Sequence, residues 1–410
     1  MGSLNAIAVG TQALVSLIIN KVIAEILGPG GIALIGNLKN FSTTIQSIGR
    51  LGLYNGIVKY AADFKDDDEQ YKKMWTSCFY ICLASSMLVS LILWIGASFW
   101  SQKIFYTPDY EIIIKSLSVV LPIYTFNSLL LGIINGWSRY KKYLLINISM
   151  SVISLIITLL LIFRLNLEGA FLAIILNPGI SLIVTIIILR KSLNDIIKIP
   201  LKTYFSIDHI INLGNYSAMA LFSSVIGSTI LIWIRNYIIS SEGIDEAGYW
   251  EGMRGISNQY MIFVSTLISL YLLPRLSAIK ETKDFKKEIW SFYKMILPVF
   301  LVGLLIIFFL RNFIIEVLLS DQFLPIKDLF KWQLAGDFFK VLSYVLACQF
   351  IAKKMIWNYL ISEFLSFSFL YIVSMYLIDS YGFIGATIGY TLDYIFYFLV
   401  LIILLRKQLF

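Results

Sequence analysis

Runs of about twenty apolar residues recur along the whole chain, from AIAVGTQALVSLIINKVIAEIL near the start to ATIGYTLDYIFYFLVLIILL near the end. An α-helix needs roughly that many residues to cross a hydrocarbon core about 30 Å thick. Such repetition leaves little chain for anything else, so the expected fold class is all-α, a polytopic membrane protein. Composition agrees, with 59% of residues hydrophobic and 14% charged, whereas soluble domains carry about 25% charged residues. Mean hydropathy is +0.81.

The first apolar segment is too long, and too polar in its second half, for a cleaved leader, so it is expected to be the first span. Cys78, Cys82 and Cys348 fall inside apolar segments and suggest neither a disulfide framework nor a zinc site. The single histidine, His209, argues against a histidine-ligated metal centre. No cofactor and no metal are expected.

Charged and Gly/Pro-containing breaks divide the chain into about twelve spans. They lie near residues 5–27, 32–62, 75–99, 111–137, 143–164, 168–189, 209–241, 246–273, 288–310, 327–352, 356–378 and 382–405. Alternating loops then place most basic residues on one side, among them Lys72, Lys73, Arg139, Lys141, Lys142, Lys198, Lys202, Lys280, Lys353, Lys354, Arg406 and Lys407. The other side receives only Lys103, Arg164, Arg311 and Lys327. By the positive-inside rule both termini are expected in the cytoplasm. Much of the net charge of +8 is therefore topological, and no nucleic-acid partner is expected. No loop is long enough to fold as a domain, so function is expected within or between the helices.

The chain also resembles itself. GAFLAIILNPGISLIVTIIILRKSL (169–193) aligns with GATIGYTLDYIFYFLVLIILLRKQL (385–409), and nearly the same shift pairs Gly28 with Gly243, Lys39 with Arg254 and Ser42 with Ser257. Two six-helix bundles follow, residues 1–200 and 201–410. An even number of spans gives both the same orientation, as in parallel repeats that enclose a central cavity and rock about it.

Polar residues inside the spans are periodic. Lys39, Thr43, Gln46 and Arg50 share one sector of the second span, Glu251, Arg254, Asn258 and Ser265 one of the eighth, and Gln333, Asp337, Lys340 and Tyr344 one of the tenth. An ionised group in hydrocarbon costs at least about 2.5–3.5 kcal/mol, so these residues are expected to face the bundle interior or water. With Lys21 and Arg235 the interior set is Lys21, Lys39, Arg50, Arg235, Arg254 and Lys340, against fewer acids, which predicts a net-positive cavity for an anionic substrate. Glu251 with Arg254, Asp337 with Lys340, and Lys21 with Glu25 equally fit mutual neutralisation one turn apart. Lys39 and Arg50 have no acid at that spacing. Lys21, Glu25 and Arg235 also fit snorkelling to an interface.

Pro122, Pro178 and Pro298 lie inside spans, where they fit kinks. The acidic DFKDDDEQYKK stretch reads as a solvated turn. The glycines of GPGGIALIG read as a tight outer turn with close helix packing, since no GK[ST] follows to make a phosphate loop.

LGPGGIALIGN, LGLYNGIVKYAAD, YWEGMRGISNQYMIF, YLLPRLS and FKWQLAGDFFKV together resemble the Wzx, or polysaccharide transporter, branch of the multidrug/oligosaccharidyl-lipid/polysaccharide (MOP) flippase superfamily. The similarity runs the length of the chain and is nearest to flippases for enterobacterial common antigen lipid III and for O-antigen units. It implies a MATE-like fold in the bacterial inner membrane. The implied function is movement of undecaprenyl-pyrophosphate-linked oligosaccharide between leaflets by alternating access, with no bond made or broken. It further implies a monomer working beside polysaccharide polymerase and chain-length proteins, and exchange with a cation, H+ or Na+. The motifs map onto Asn55 to Tyr60, hence Asn55 and Lys59, and onto Trp332 to Lys340; Arg50 departs from the family pattern, where a small residue is commoner.

Arg and Lys bind a pyrophosphate through charge-assisted hydrogen bonds, which makes Lys21, Lys39, Arg50, Asn55, Lys59, Arg235, Arg254 and Lys340 the substrate candidates. Glu251, Asp337 and Asp393 are the candidates for the coupling cation. A multidrug exporter of the same superfamily would be expected to show an acidic or aromatic pocket, and a glycosyltransferase or polymerase a sizeable extramembrane loop. The fourteen spans of lipid II flippases differ from the twelve expected here.

Overall fold

The computed structural model describes residues 2–197, 204–279 and 281–409. Lys198, Lys202 and Lys280 of the charge pattern, and the expected division between residues 200 and 201, lie outside the described residues. Every regular element among the described residues is helical.

The chain first forms α1 (Gly2–Gly49), α2 (Tyr54–Asp63), α3 (Asp68–Ile95), α4 (Ala97–Phe105), α5 (Glu111–Gly136), α6 (Tyr140–Leu189) and the single turn α7 (Leu193–Ile196). There follow α8 (Ile207–Ser241), α9 (Ile244–Leu267), α10 (Leu273–Ala278), α11 (Thr282–Phe309), α12 (Arg311–Leu318), α13 (Leu329–Ala352), α14 (Ile356–Tyr381) and α15 (Phe383–Leu409). Ten helices among the described residues are long and apolar enough to cross a membrane. Two of them, Ile7–Gly49 and Tyr140–Leu189, run 43 and 50 residues, about 65 and 75 Å at 1.5 Å per residue and so twice a bilayer core. Each contains a break, at Gly28 (φ 63°, ψ −170°) and at Asn166 (φ 50°, ψ −123°). Counted with those divisions, the ten helices give the twelve spans expected.

The break at Asn166 is a hairpin. Gly169 approaches Leu161 so closely that a Cβ on it would stand 2.0 Å from the Leu161 carbonyl oxygen, although eight residues along an unbroken helix are about 12 Å apart. Gly385 meets Leu377 in the same way, at 2.2 Å. The internal repeat is thus written in the backbone: left-handed residues recur at Gly28 and Gly243, at Ser138 and Lys354, and at Asn166 and Gly382, always 215 or 216 positions apart. At Gly28 the φ of +63° is one that a residue with a Cβ adopts only at a cost.

The second span departs from expectation. It is not one helix over 32–62: α1 ends at Gly49, Leu51 (φ 52°) and Gly52 (φ 65°) turn the chain, and α2 begins at Tyr54. Gly52 is needed there, because a Cβ would stand 2.5 Å from the Ser217 carbonyl oxygen. At the corresponding place in the second repeat the chain stays helical but widens into a π-helical turn, Ile268–Leu272. Asn55 and Lys59 therefore sit on a separate short helix. The acidic stretch is also more than a solvated turn. Asp67 accepts from the Gln70 backbone N–H at 3.0 Å and caps α3, with Asp68 and Glu69 in its first turn. Pro122, Pro178 and Pro298 lie inside α5, α6 and α11.

Packing divides the chain into two compact units, Met1–Ile19 with Leu34–Thr229, and Asn20–Ala33 with Ile230–Phe410. The first has an apolar core around Ile57, Met74, Trp75, Leu130, Ile134 and Leu189. The second is built on Leu272, Phe285, Phe292, Val345, Phe350 and Leu401. In the second unit the stretch after Gly28 is held by α9: the Gly30 N–H donates to Asp245 Oδ1 at 2.9 Å, and Gly248 lies against Pro29, whose oxygen would be 2.0 Å from any added Cβ.

Candidate functional site

The second unit gathers most of the polar side chains singled out by periodicity. Glu251 and Arg254 are one turn apart on α9, and Arg235 reaches the same place from α8. Glu251 Oε2 accepts from Arg235 Nη2 and, at 2.6 Å, from Arg254 Nη1. Both guanidinium groups also lie over the Trp250 ring, 5.6 Å and 5.0 Å from its centroid. The Arg235 side chain is 0% exposed, Arg254 15% and Glu251 17%, so Arg235 does not snorkel. Its partner lies on another helix, and burial with a hydrogen-bonded carboxylate is the arrangement that lets a guanidinium leave water. Two cations on one anion leave the cluster with a formal surplus of positive charge.

Asp337 on α13 is fully buried. It accepts from Ser257 Oγ at 2.8 Å, from Tyr390 Oη at 2.6 Å, from Tyr260 Oη, and from Gln333 Nε2 at 3.3 Å. The ion pair with Lys340 that the spacing allows is not formed. The Lys340 ammonium lies instead among three rings, those of Tyr344, Tyr390 and Tyr394, 5.6, 5.5 and 5.4 Å from their centroids. Asp393 on α15 is also buried and accepts from Ser366 Oγ at 2.9 Å. One turn of α14 away, Glu363 accepts from Tyr397 Oη at 2.8 Å.

Lys21 has a different task. Its ammonium donates to the carbonyl oxygens of Glu316 at 2.7 Å and Leu319 at 2.6 Å, and pairs with Glu25 at 2.9 Å. The two carbonyls lie at the end of α12 and have no partner within that helix, so Lys21 caps it.

In the first unit, Lys39 and Thr43 are exposed and Gln46 and Arg50 half-buried, while Leu38, Phe41, Ser42 and Ile45 of the same helix are buried. The predicted polar sector is thus the open face of α1. Arg50 ends it, at the turn before α2. Its guanidinium donates to Tyr124 Oη at 2.9 Å and stands about 6 Å from two rings, at 6.0 Å from the Tyr54 centroid and 5.9 Å from that of Tyr124. Among the described residues no carboxylate pairs with Arg50. Asn55 is exposed and Lys59 half-buried on α2.

The second unit therefore brings together Arg235, Glu251 and Arg254 in one cluster and Asp337, Lys340 and Asp393 around another. Lys21 stands at a helix end. Lys39, Arg50, Asn55 and Lys59 belong to the first unit. Sequence reasoning passed over Trp250, Tyr260, Tyr390 and Tyr394; a signal was present in Tyr390, Tyr394 and Tyr397, which follow i, i+4, i+7 on the last span. Among the described residues no group of acidic, histidine or cysteine side chains has the makings of a metal site.

The fold is shared with solved transporters. A multidrug resistance MATE family transporter of the MOP superfamily, in an inward-facing conformation, superposes with a TM-score of 0.75 at 15% identity, over 97% of this chain and 95% of that one. A lipid II flippase, MurJ, gives 0.72 at 15% identity, over 98% and 88%. In sequence, the lipid III flippase of Escherichia coli K12 is 31% identical over 384 residues, 93% of this chain and 92% of that protein. A putative O-antigen transporter of Shigella flexneri is 23% identical over 90% and 88%. Residues 2–280 match the family described as polysaccharide biosynthesis protein, with its relatives among transporters rather than enzymes. The chain is a multi-pass membrane protein of the MOP fold and belongs to the polysaccharide biosynthesis protein family.

Proposed function

We propose that this protein is a flippase for lipid-linked oligosaccharides, carrying an undecaprenyl-pyrophosphate-linked repeat unit of the lipid III or O-antigen type from one leaflet to the other. The observation that carries the reading is the pair Arg235 and Arg254 sharing a single carboxylate, Glu251, in the membrane-embedded part of the chain. A surplus of guanidinium there is costly to keep and is matched by a cargo whose head is a pyrophosphate. Likeness to a lipid III flippase over nearly the whole chain supports the same cargo.

The site of action is the bacterial inner membrane, with both termini cytoplasmic. The cargo head is exposed first to one face and then to the other, and transport is coupled to a cation, H+ or Na+, with Glu251, Asp337 and Asp393 as the groups available to hold it. The protein works as a monomer, beside polymerase and chain-length proteins that use the delivered unit. A drug exporter of the same superfamily, the competing reading, would be expected to hold a cationic drug against acids, and the surplus of arginine disfavours it.

The test is reconstitution in liposomes loaded with a defined undecaprenyl-pyrophosphate oligosaccharide, measuring its exposure in each leaflet with and without a proton or sodium gradient. Protein-dependent transfer is expected. Transfer no faster than in protein-free liposomes sinks the reading.

A further inference from the structure

The WQLAGDFFK stretch puts Asp337 and Lys340 three residues apart on α13, within reach of each other. Tyr390 of α15 stands between them. Its hydroxyl donates to Asp337 Oδ1 at 2.6 Å, and its ring lies 5.5 Å from the Lys340 ammonium. With Ser257, Tyr260 and Gln333 also donating, the oxygens of Asp337 are taken up by neutral groups. Lys340 lies over the rings of Tyr344, Tyr390 and Tyr394, with the Asp393 carboxylate near enough to act on it electrostatically but not paired with it. Among the described residues its ammonium pairs with no carboxylate. Ring faces attract a cation but satisfy its N–H donors less well than an anionic oxygen does. Lys340 is only half-buried, and Tyr344 beside it is 37% exposed, so the cage is open on one side.

We propose that Lys340 binds a phosphoryl group of a pyrophosphate-bearing lipid head, and that Tyr390 is the positioning residue that keeps its charge available by holding it off Asp337. This rests on the flippase reading and adds to it the residue that meets the phosphate and the one that keeps it ready. Tyr390 acts at both ends: its hydroxyl occupies the acid that would neutralise the lysine, and its ring holds the lysine without neutralising it. An arriving phosphoryl oxygen displaces ring contacts and no ion pair.

The experiment measures binding to the full-length protein in nanodiscs of zwitterionic lipid, with inorganic pyrophosphate, undecaprenyl pyrophosphate and phosphatidylglycerol as separate probes. Lys340→Met is expected to weaken both pyrophosphates at least about ten-fold, the loss of a charge-assisted hydrogen bond. Tyr390→Phe, which keeps the ring but frees Asp337 Oδ1, is expected to bind between the native protein and Tyr390→Ala. Tyr390→Ala is expected to bind as poorly as Lys340→Met, because the lysine then reaches Asp337, and the double variant Tyr390→Ala/Asp337→Asn is expected to recover. A Tyr390 needed only for packing gives no such recovery, so its absence overturns the role given to that residue. Native-like binding by Lys340→Met overturns the site. A loss confined to inorganic pyrophosphate, or equally large for phosphatidylglycerol, overturns the lipid-pyrophosphate assignment. Liposome transfer measured on the same preparations separates the two conclusions. Native protein that flips, with Lys340→Met flipping and binding equally well, overturns only the present inference; Lys340-dependent binding without any flipping overturns only the transport reading.

Discussion

Arg235 and Arg254 donate to one and the same oxygen of Glu251, Oε2, from two different helices. The carboxylate is thereby the pivot of the cluster, and its removal leaves a fully buried guanidinium beside a second one with no anion between them. Breaking a buried pair of this kind costs about 3–5 kcal/mol. Glu251→Gln is accordingly expected to lower the unfolding temperature of the purified protein, and Arg235→Met/Glu251→Gln to recover part of the loss. A thermal melt of Glu251→Gln that coincides with the native one removes the pivot role.

Arg254 is the more accessible of the two arginines. Arg254→Ala is expected to abolish flipping while membrane insertion and the melting curve stay near native. Liposome transfer at the native rate would exclude Arg254 from the path of the cargo.

Lys21 spends its donors on Glu25 and on the carbonyls of Glu316 and Leu319. Lys21→Met is therefore expected to cost about 1–3 kcal/mol of stability, the penalty for orphaned polar groups, and to leave pyrophosphate affinity where it was. A binding loss without a stability loss reverses this assignment.

Gly169 and Gly385 are equivalent in the repeat, and both face a carbonyl oxygen at about the same place: a Cβ would stand 2.0 Å from Leu161 O and 2.2 Å from Leu377 O. Gly169→Ala and Gly385→Ala are expected to lower stability by similar amounts, on the order of 1–3 kcal/mol each for an overpacked site. Comparing their melts tests whether the two hairpins are built alike, and a neutral result at one of them shows that they are not.

Much of this was legible in the residues. Twenty-residue apolar runs fix helices and their number because a bilayer leaves the backbone no other hydrogen-bond partner. The shift pairing Gly28 with Gly243 located a backbone feature, since both glycines take left-handed φ before a helix. The open face of Lys39, Thr43, Gln46 and Arg50 followed from a period that one helix fixes by itself. What the sequence hid involves a second helix. Spacing says that Lys340 reaches Asp337, but not that Tyr390, some fifty residues on, would stand between them. Arg235 read as a snorkelling residue because nothing near it in sequence is acidic at the right distance, and its carboxylate comes from α9. The turn at Leu51 and Gly52 went unseen because Leu-Gly is ordinary inside a membrane helix, and the contact that demands it belongs to Ser217.

The turns at Gly28, Asn166, Gly243 and Gly382 carry almost no chain outside the helices they join. Each follows an odd-numbered span. Such turns offer little for a protease to cut, for an antibody to grip or for a reporter to be spliced into, since insertions are tolerated where the backbone is loose and unpacked. Labels for following this protein at work belong beside Phe64–Asp67 or Ser138, where the chain leaves its helices for a few residues.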